Sequence, residues 1–118
     1  TVLSVMGDGS FNFSCGELET IVRYRLPIKM FVFSNKTFGW IKAGQNSGFD
    51  KRFYNVDFGQ TDHAAVASAF GVKSWRANNS SELSSVIAQA LSHDGPALVD
   101  IISQPLHEAN APVSEWVA

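Results

Sequence analysis

The chain has 118 residues and a formal net charge of -2, and 45% of its residues are hydrophobic and 17% are charged. These values are typical of one globular domain with enough apolar material for a core. The 9 Lys and Arg residues are dispersed, and no apolar run approaches the ~20 residues of a spanning helix, so we expect neither a nucleic-acid nor a membrane partner. The single cysteine, Cys15, excludes an internal disulfide and indicates a cytoplasmic location.

The first third of the chain predicts two strands with a helix between them. Residues 2–6 form a short apolar run that ends at glycine, which is typical of a buried strand. Ser14, followed three residues later by Glu17, matches a capping box and predicts a helix that starts there and stops at Pro27. Residues 28–33 are apolar and predict the second strand.

The middle of the chain predicts a long functional loop and then a capped helix. Residues 35–56 mix glycines with aromatic residues and predict a loop with a short helix around residues 39–43. Asp62 is expected to cap a helix that runs through residue 70 and ends at Gly71. The adjacent His63 is interpreted as a surface residue in the first turn of that helix.

The last third continues the alternation of strands and helices. Residues 72–76 predict a short strand, and Ser80 or Ser81 is expected to open an amphipathic helix. Residues 97–102 predict the last strand, and residues 104–118 are interpreted as a tail. Strands that alternate with helices favour an α/β fold with a parallel sheet and helices on both faces. In such sheets ligands bind beyond the carboxyl ends of the strands.

Two polar residues stand at predicted strand ends. Asp8 follows the first strand inside a Gly-Asp-Gly corner, and Asn35 follows the second strand. If these strands are neighbours, the two side chains meet at the ligand edge of the sheet. Mg²⁺ prefers oxygen ligands, which Asp8, Asn35 and the backbone carbonyl of Thr37 could provide.

The glycines of that corner favour an anionic ligand beside the metal. Gly7 and Gly9 allow a sharp turn and a close approach of the backbone to a ligand. The backbone N-H groups of Gly9 and Ser10 would then face a bound anion. The pattern as a whole favours a diphosphate bridged by magnesium, although either a Gly-Asp-Gly corner or a lone asparagine is by itself usually a turn.

Four segments carry a resemblance that extends over nearly the whole chain. They are GDGSF, GELETIVRYRLPIKMFVFSNKTFG, DHAAVASAFGV and GPALVDIIS. They resemble the diphosphate-binding C-terminal domain of thiamine diphosphate-dependent enzymes in the acetolactate synthase, pyruvate decarboxylase and benzoylformate decarboxylase group. The resemblance implies a three-layer α/β/α fold with a mostly parallel sheet. It also implies that residues 1–118 are the C-terminal part of that domain, incomplete at the N-terminus by about one strand-helix unit.

The resemblance implies thiamine diphosphate and Mg²⁺ as cofactors. Asp8, Asn35 and the Thr37 carbonyl would be the metal ligands. The residues expected to bind cofactor are Gly7, Asp8, Gly9, Ser10, Asn35, Thr37, Phe38 and Gly39, and those expected near the substrate are Trp40 and Ile41. Relatives often carry two asparagines where this chain has Ser34 and Asn35, and acetolactate synthases carry a tryptophan where this chain has Gly44.

The implied activity is decarboxylation or carboligation of a small 2-oxo acid. In this family the activating glutamate belongs to a pyrimidine-binding domain, usually of the partner chain, so we expect no catalytic residue here and no activity from the chain alone. A homo-oligomer is expected. The alternatives are a non-catalytic regulatory or scaffold module of the same fold and a flavodoxin-like nucleotide-binding domain, which would not need magnesium.

Overall fold

A computed structural model describes residues 1–106 and Glu108. Its elements in chain order are β1 (Val2–Gly7), α1 (Asp8–Ser14), a 3-10 turn (Cys15–Glu17), α2 (Leu18–Arg23), β2 (Ile28–Ser34), α3 (Gly39–Gly48), α4 (His63–Ala69), β3 (Lys73–Ala77), α5 (Ser80–Ser92) and β4 (Ala97–Ile102). Of the predicted tail, residues 107 and 109–118 lie outside the described part. None of the helices in that part is long and apolar enough to cross a membrane.

The four strands form one parallel sheet in the order β1-β2-β4-β3. Helices cover both faces, which confirms the predicted α/β/α architecture. On one face Phe11, Leu18 and Ala67 from three helices pack against Met30, Val32 and Leu98 of the central strands. On the other face α5 packs through Leu83, Val86, Ile87 and Ala90 against Phe31, Val99 and Ile101. Successive residues of β2 face opposite sides of the sheet, so this strand contributes to both hydrophobic cores.

Strand β1 is an edge strand that pairs only with β2 within the described residues. Val5 pairs with Phe31, so Leu3 and Val5 point to the α5 side of the sheet. That helix packs over β3 and β4, and Leu3 and Val5 are 61% and 69% exposed. The strand has no charged residue or proline, which are the usual protections of an open edge.

The first helix begins at Asp8, earlier than the start that the sequence predicted at Ser14. The prediction of a capping box at Ser14 was therefore wrong. Gly7 is extended, and the chain turns directly into α1 at Asp8. Ser14 is the last residue of α1, and its hydroxyl donates to the Ser10 carbonyl at 3.1 Å instead of capping a new helix. Glu17 lies in the 3-10 turn that connects α1 to α2.

The predicted stop of α2 was also placed too late. Arg25 has a φ of 49°, and the N-H groups of Arg25 and Leu26 donate back to the carbonyls of Val22 and Ile21. These bonds form a Schellman motif, so the helix ends at Arg23, four residues before Pro27. The same motif ends α4, where Gly71 has a φ of 91° as the sequence led us to expect.

The middle and last helices follow the sequence more closely. The loop helix α3 runs over Gly39–Gly48, which is longer than the predicted 39–43. Asp62 caps α4 as predicted, because its side chain accepts the Ala65 N-H. Helix α5 starts at Ser80, and the side chain that caps it is Asn79, which accepts from the N-H groups of Ser81 and Glu82.

Candidate functional site

The parallel pairing of β1 and β2 places their carboxyl ends side by side. Gly7 pairs with Phe33, so Asp8 lies beside the end of β2. The Asp8 side chain is buried, and its Oδ2 accepts the Lys36 N-H at 2.7 Å while its Oδ1 accepts the Gly9 N-H at 2.9 Å. The acidic residue after β1 is therefore in direct contact with the turn after β2.

That turn is held in an uncommon backbone conformation. Lys36 has a φ of 61°, a left-handed conformation that non-glycine residues adopt at a cost of roughly 1–2 kcal/mol. The Asn35 Oδ1 accepts the Thr37 N-H at 3.1 Å, and the Thr37 hydroxyl donates to the Val56 carbonyl at 2.8 Å. The side-chain amide, the carboxylate and the loop after β2 therefore form one hydrogen-bonded unit at this edge of the sheet.

A cavity of about 430 Å³ opens at this edge. Its lining contains all ten residues that the sequence assigned to cofactor or substrate, which are Gly7, Asp8, Gly9, Ser10, Asn35, Thr37, Phe38, Gly39, Trp40 and Ile41. The structure thus brings these residues together, while their individual roles stay predictions. Gly44 is not part of the lining, and a Cβ built on it would meet no atom within 4 Å.

The sequence missed one residue of the cavity wall, Leu106. It lies just after β4, and its Cδ1 is 3.2 Å from the position that a Cβ on Gly39 would occupy. The chain around it is polar and carries no periodic signal, so no local pattern could have assigned it to the cavity. The contact shows that the segment after β4 folds back over the start of α3.

One wall of the cavity is formed by Phe38, whose ring contacts two further aromatic rings. The ring of Phe38 meets the ring of Phe58 edge to face, with centroids 4.4 Å apart, and stacks on Phe13 at 6.3 Å. A Cβ on Gly9 would lie only 2.6 Å from Phe38 Cε1. Glycine is thus required at this position because the aromatic ring occupies the space of a side chain.

The donor set at the cavity suits a hard cation that keeps part of its coordination for ligand and water. Asp8 offers two carboxylate oxygens, each with a lone pair left after accepting one N-H, and Asn35 offers an amide oxygen. No group of three His, Cys, Asp or Glu side chains forms a metal cage in the described part of the chain. Mg²⁺ does not need such a cage, since it is usually bound by one or two carboxylates together with phosphates and water.

The interpretation of His63 as a surface residue was wrong. Its side chain is buried, its ring packs edge to face on Phe11, and its Nδ1 lies 2.9 Å from the Ser34 hydroxyl. The Ser34 hydroxyl also donates to the fully buried Asp100 at 2.5 Å. The helix cap at Asp62 correctly places His63 in a first turn, but the packing of α4 on the sheet turns the ring inward.

Arg76 lies beside this buried cluster, between the carboxylates of Asp62 and Asp100. Arg76 Nη1 lies 3.1 Å from Asp62 Oδ2, and Arg76 Nε lies 3.7 Å from Asp100 Oδ2. The hydrogen bond from the Ala65 N-H, with a smaller contribution from Arg76, holds the pKa of Asp62 below its ordinary value. The Asp62 carboxylate therefore caps α4 and partly balances Arg76.

Comparison with known proteins is consistent with this geometry. The family described as thiamine pyrophosphate enzyme, C-terminal TPP binding domain, matches residues 1–101. A probable acetolactate synthase large subunit of Methanococcus aeolicus is 33% identical over 105 residues, covering 88% of this chain and 18% of the relative. The acetolactate synthase of Bacillus subtilis is 36% identical over 100 residues, covering 85% of this chain and 17% of the relative.

The fold comparison leads to the same group of proteins. The crystal structure of benzoylformate decarboxylase from Polynucleobacter necessarius superposes with a TM-score of 0.82 at 27% sequence identity. The match covers 88% of this chain and 20% of that protein. The chain therefore spans about a fifth of the length of the proteins it resembles.

Proposed function

We propose that a magnesium ion at the tips of β1 and β2 holds the diphosphate of the cofactor in this chain. The chain belongs to the family of C-terminal thiamine pyrophosphate-binding domains of thiamine pyrophosphate enzymes. The observation that carries the proposal is the meeting of the Asp8 carboxylate with the Asn35 turn at the edge of one cavity. Mg²⁺ commonly joins a carboxylate to ligand phosphates in this way.

The cavity residues divide into three proposed roles. Asp8, Asn35 and the carbonyl of Thr37 would ligate Mg²⁺. The backbone around Gly7, Gly9 and Ser10, together with the amides near Phe38 and Gly39, would contact the diphosphate. Trp40 and Ile41, which are 54% and 55% exposed, would face the reacting part of the cofactor and the substrate.

The proposed activity of the whole protein is decarboxylation or carboligation of a 2-oxo acid, resembling that of acetolactate synthase. Thiamine diphosphate, when bound, supplies the nucleophilic carbon for this chemistry. The chain's own residues bind and orient that group, and Asp8 is the only titratable side chain in the described lining of the cavity. We therefore assign no acid or base catalyst to this chain and expect it to be inactive alone.

The remaining parts of the reaction would come from other polypeptide. We infer a pyrimidine-binding domain of a partner chain and a homo-oligomer, in keeping with the exposed apolar residues of the β1 edge. The single cysteine of the sequence supports a cytoplasmic location.

The direct test is calorimetric titration of the 118-residue chain with thiamine diphosphate, with and without Mg²⁺. We expect binding only with the metal, and we expect Asp8→Asn to weaken it at least about tenfold, because the amide removes the charge that attracts the cation. Asp94→Asn makes the same change of charge at a fully exposed residue that precedes β4, so it should leave the affinity unchanged.

The same titration separates the proposal from its alternatives. A domain of this fold that does not bind cofactor would show no heat with thiamine diphosphate under either condition. A flavodoxin-like site would bind a mononucleotide phosphate without magnesium. If thiamine diphosphate binds equally well after metal removal, or if Asp8→Asn binds like the unmodified chain, the proposed metal bridge is wrong.

A further inference from the structure

A chain of buried polar groups lies under the candidate site, between the central strands and the start of α4. Asp100 is completely buried on β4, and Ser34 and His63 are each less than 5% exposed. The Asp100 carboxylate accepts the Ser34 hydroxyl at 2.5 Å and the backbone N-H of His63 at 3.3 Å. The described cavity lining includes none of these three residues, so the proposed metal bridge makes no use of them.

The direction of the hydrogen bonds follows from counting protons. A carboxylate can only accept, so the single hydroxyl hydrogen of Ser34 is directed to Asp100. The contact of 2.9 Å between Ser34 Oγ and His63 Nδ1 then requires a proton on Nδ1, which donates to the serine oxygen. His63 Nε2 lies 3.2 Å from Oδ1 of Asn12, and a neutral ring with its proton on Nδ1 accepts here from the Asn12 NH₂ group, which the reversed orientation of the amide places at the same position. The bonds therefore run in one direction, from His63 through Ser34 to Asp100.

These bonds fix the last residue of β2, which immediately precedes the Asn35 turn. Ser34 is held through its hydroxyl by Asp100 and His63, and its carbonyl accepts the Ser103 N-H at 3.1 Å. The next residues must place Lys36 in a left-handed conformation so that its N-H reaches Asp8. A strained turn keeps such a conformation only where the surrounding structure holds it.

We propose that Ser34 is a positioning residue of the site, and that His63 and Asp100 act through it to fix the turn that carries Asn35 and Lys36. Each group is hydrogen-bonded and buried, so the arrangement tolerates little movement. The effect of this positioning on cofactor affinity rests on the proposed function. Its effect on the turn itself does not, because the bond from Lys36 to Asp8 joins two residues of this chain.

The test compares two serine-to-alanine variants by amide hydrogen exchange in the ligand-free chain. In Ser34→Ala we expect the Lys36 amide to exchange about tenfold faster relative to the strand amides of β4, because the turn loses its anchor. Ser74→Ala is the matched control. Ser74 is a strand serine as well, half-buried where Ser34 is buried, and its hydroxyl donates to the Ala64 carbonyl at 2.7 Å, but it lies on β3 away from the turn. Its loss should leave Lys36 unchanged.

Two further variants keep the inference testable if Ser34→Ala folds poorly. Ser34→Thr retains the hydroxyl and should restore slow exchange at Lys36. His63→Phe keeps an aromatic ring against Phe11 but removes the Nδ1 proton, so exchange at Lys36 should again be faster than in the unmodified chain. If Lys36 exchanges at the same rate in both Ser34→Ala and His63→Phe as in the unmodified chain, Ser34 does not position the turn.

The proton on His63 gives an independent measurement. Nitrogen-15 spectra of the imidazole should show a proton on Nδ1, and a ring protonated only on Nε2 would contradict the direction of the hydrogen bonds. In a magnesium-dependent titration, Ser34→Ala should bind thiamine diphosphate about fivefold more weakly, and Ser74→Ala should bind normally. If the unmodified chain binds no cofactor, the proposed function fails, while the exchange rates still decide whether Ser34 positions the turn.

Discussion

Replacing Gly9 by alanine tests whether the aromatic wall of the cavity is rigid. Gly9 is the second residue of α1, and an added Cβ would lie 2.6 Å and 3.0 Å from two atoms of the Phe38 ring and 3.2 Å from Phe58 Cζ. The Phe38 ring packs edge to face on Phe58 at 4.4 Å and stacks on the largely exposed Phe13 at 6.3 Å. The methyl group can therefore be accommodated only if the ring or the start of the helix moves.

The expected cost follows from two opposing effects. Overpacking of a well-filled site costs about 1–3 kcal/mol, and a contact as short as 2.6 Å belongs to the upper part of that range. Alanine regains up to about 1 kcal/mol relative to glycine inside a helix. The free energy of unfolding should therefore fall by about 1–2 kcal/mol in Gly9→Ala.

A second glycine supplies the matched control. Gly44 lies within α3, and a Cβ there would meet no atom within 4 Å. Gly44→Ala should therefore show the helix gain alone and raise the free energy of unfolding by up to about 1 kcal/mol. The same substitution in two helices is thus expected to change stability in opposite directions.

Urea denaturation measures both variants. With a slope of about 2 kcal/mol per molar urea, the midpoint of Gly9→Ala should fall by roughly 0.5–1 M, and that of Gly44→Ala should rise slightly. If Gly9→Ala is as stable as Gly44→Ala, the Phe38 ring yields without cost. Glycine would then not be required at this position.

Four further substitutions test the helix ends. Arg25→Gly should raise the free energy of unfolding by about 0.5–1 kcal/mol, because Arg25 has a φ of 49°. Gly71→Ala should lower the free energy of unfolding by about 1 kcal/mol, because Gly71 has a φ of 91°, which alanine adopts only with strain. Denaturant midpoints measure both variants. Asp62→Ala should cost about 1 kcal/mol by removing the cap of α4. The pKa of Asp62 is lowered on folding, so its contribution is complete above about pH 4 and is lost as the pH falls through the folded-state pKa. Asp62→Asn should flatten this pH dependence, and unchanged acid unfolding in that variant would contradict the assignment.

The sequence predicted those features that depend on residues close together in the chain. The alternation of apolar runs with helical patterns predicted the parallel sheet, and the residues that end β1 and β2 predicted that Asp8 and Asn35 meet, while the assignment of residues 38–41 to the cavity came from the family resemblance. A strand end is marked locally, and parallel strands bring their ends to one edge, so Asp8 and Asn35 could be paired without knowledge of the packing.

The features that the sequence missed depend on packing between distant segments. His63 reads locally as a first-turn residue, and its burial follows only from contact with Ser34 and Asp100, which are 29 and 37 residues away in the chain. Leu106 reaches the cavity because the chain after β4 folds back toward Gly39. Arg25 ends α2 by adopting a left-handed conformation that arginine does not favour, so composition pointed instead to Pro27.

The outer edge of β1 is linked to the candidate site through Asp8. The strand is fixed by a single ladder of hydrogen bonds to β2, and Asp8 is the residue that follows it. Among residues 1–106 and Glu108 no strand pairs with the outer edge of β1, so a strand of another chain that paired there would also restrain the Asp8 carboxylate. Association through this edge would therefore restrict the motion of a residue that lines the cavity.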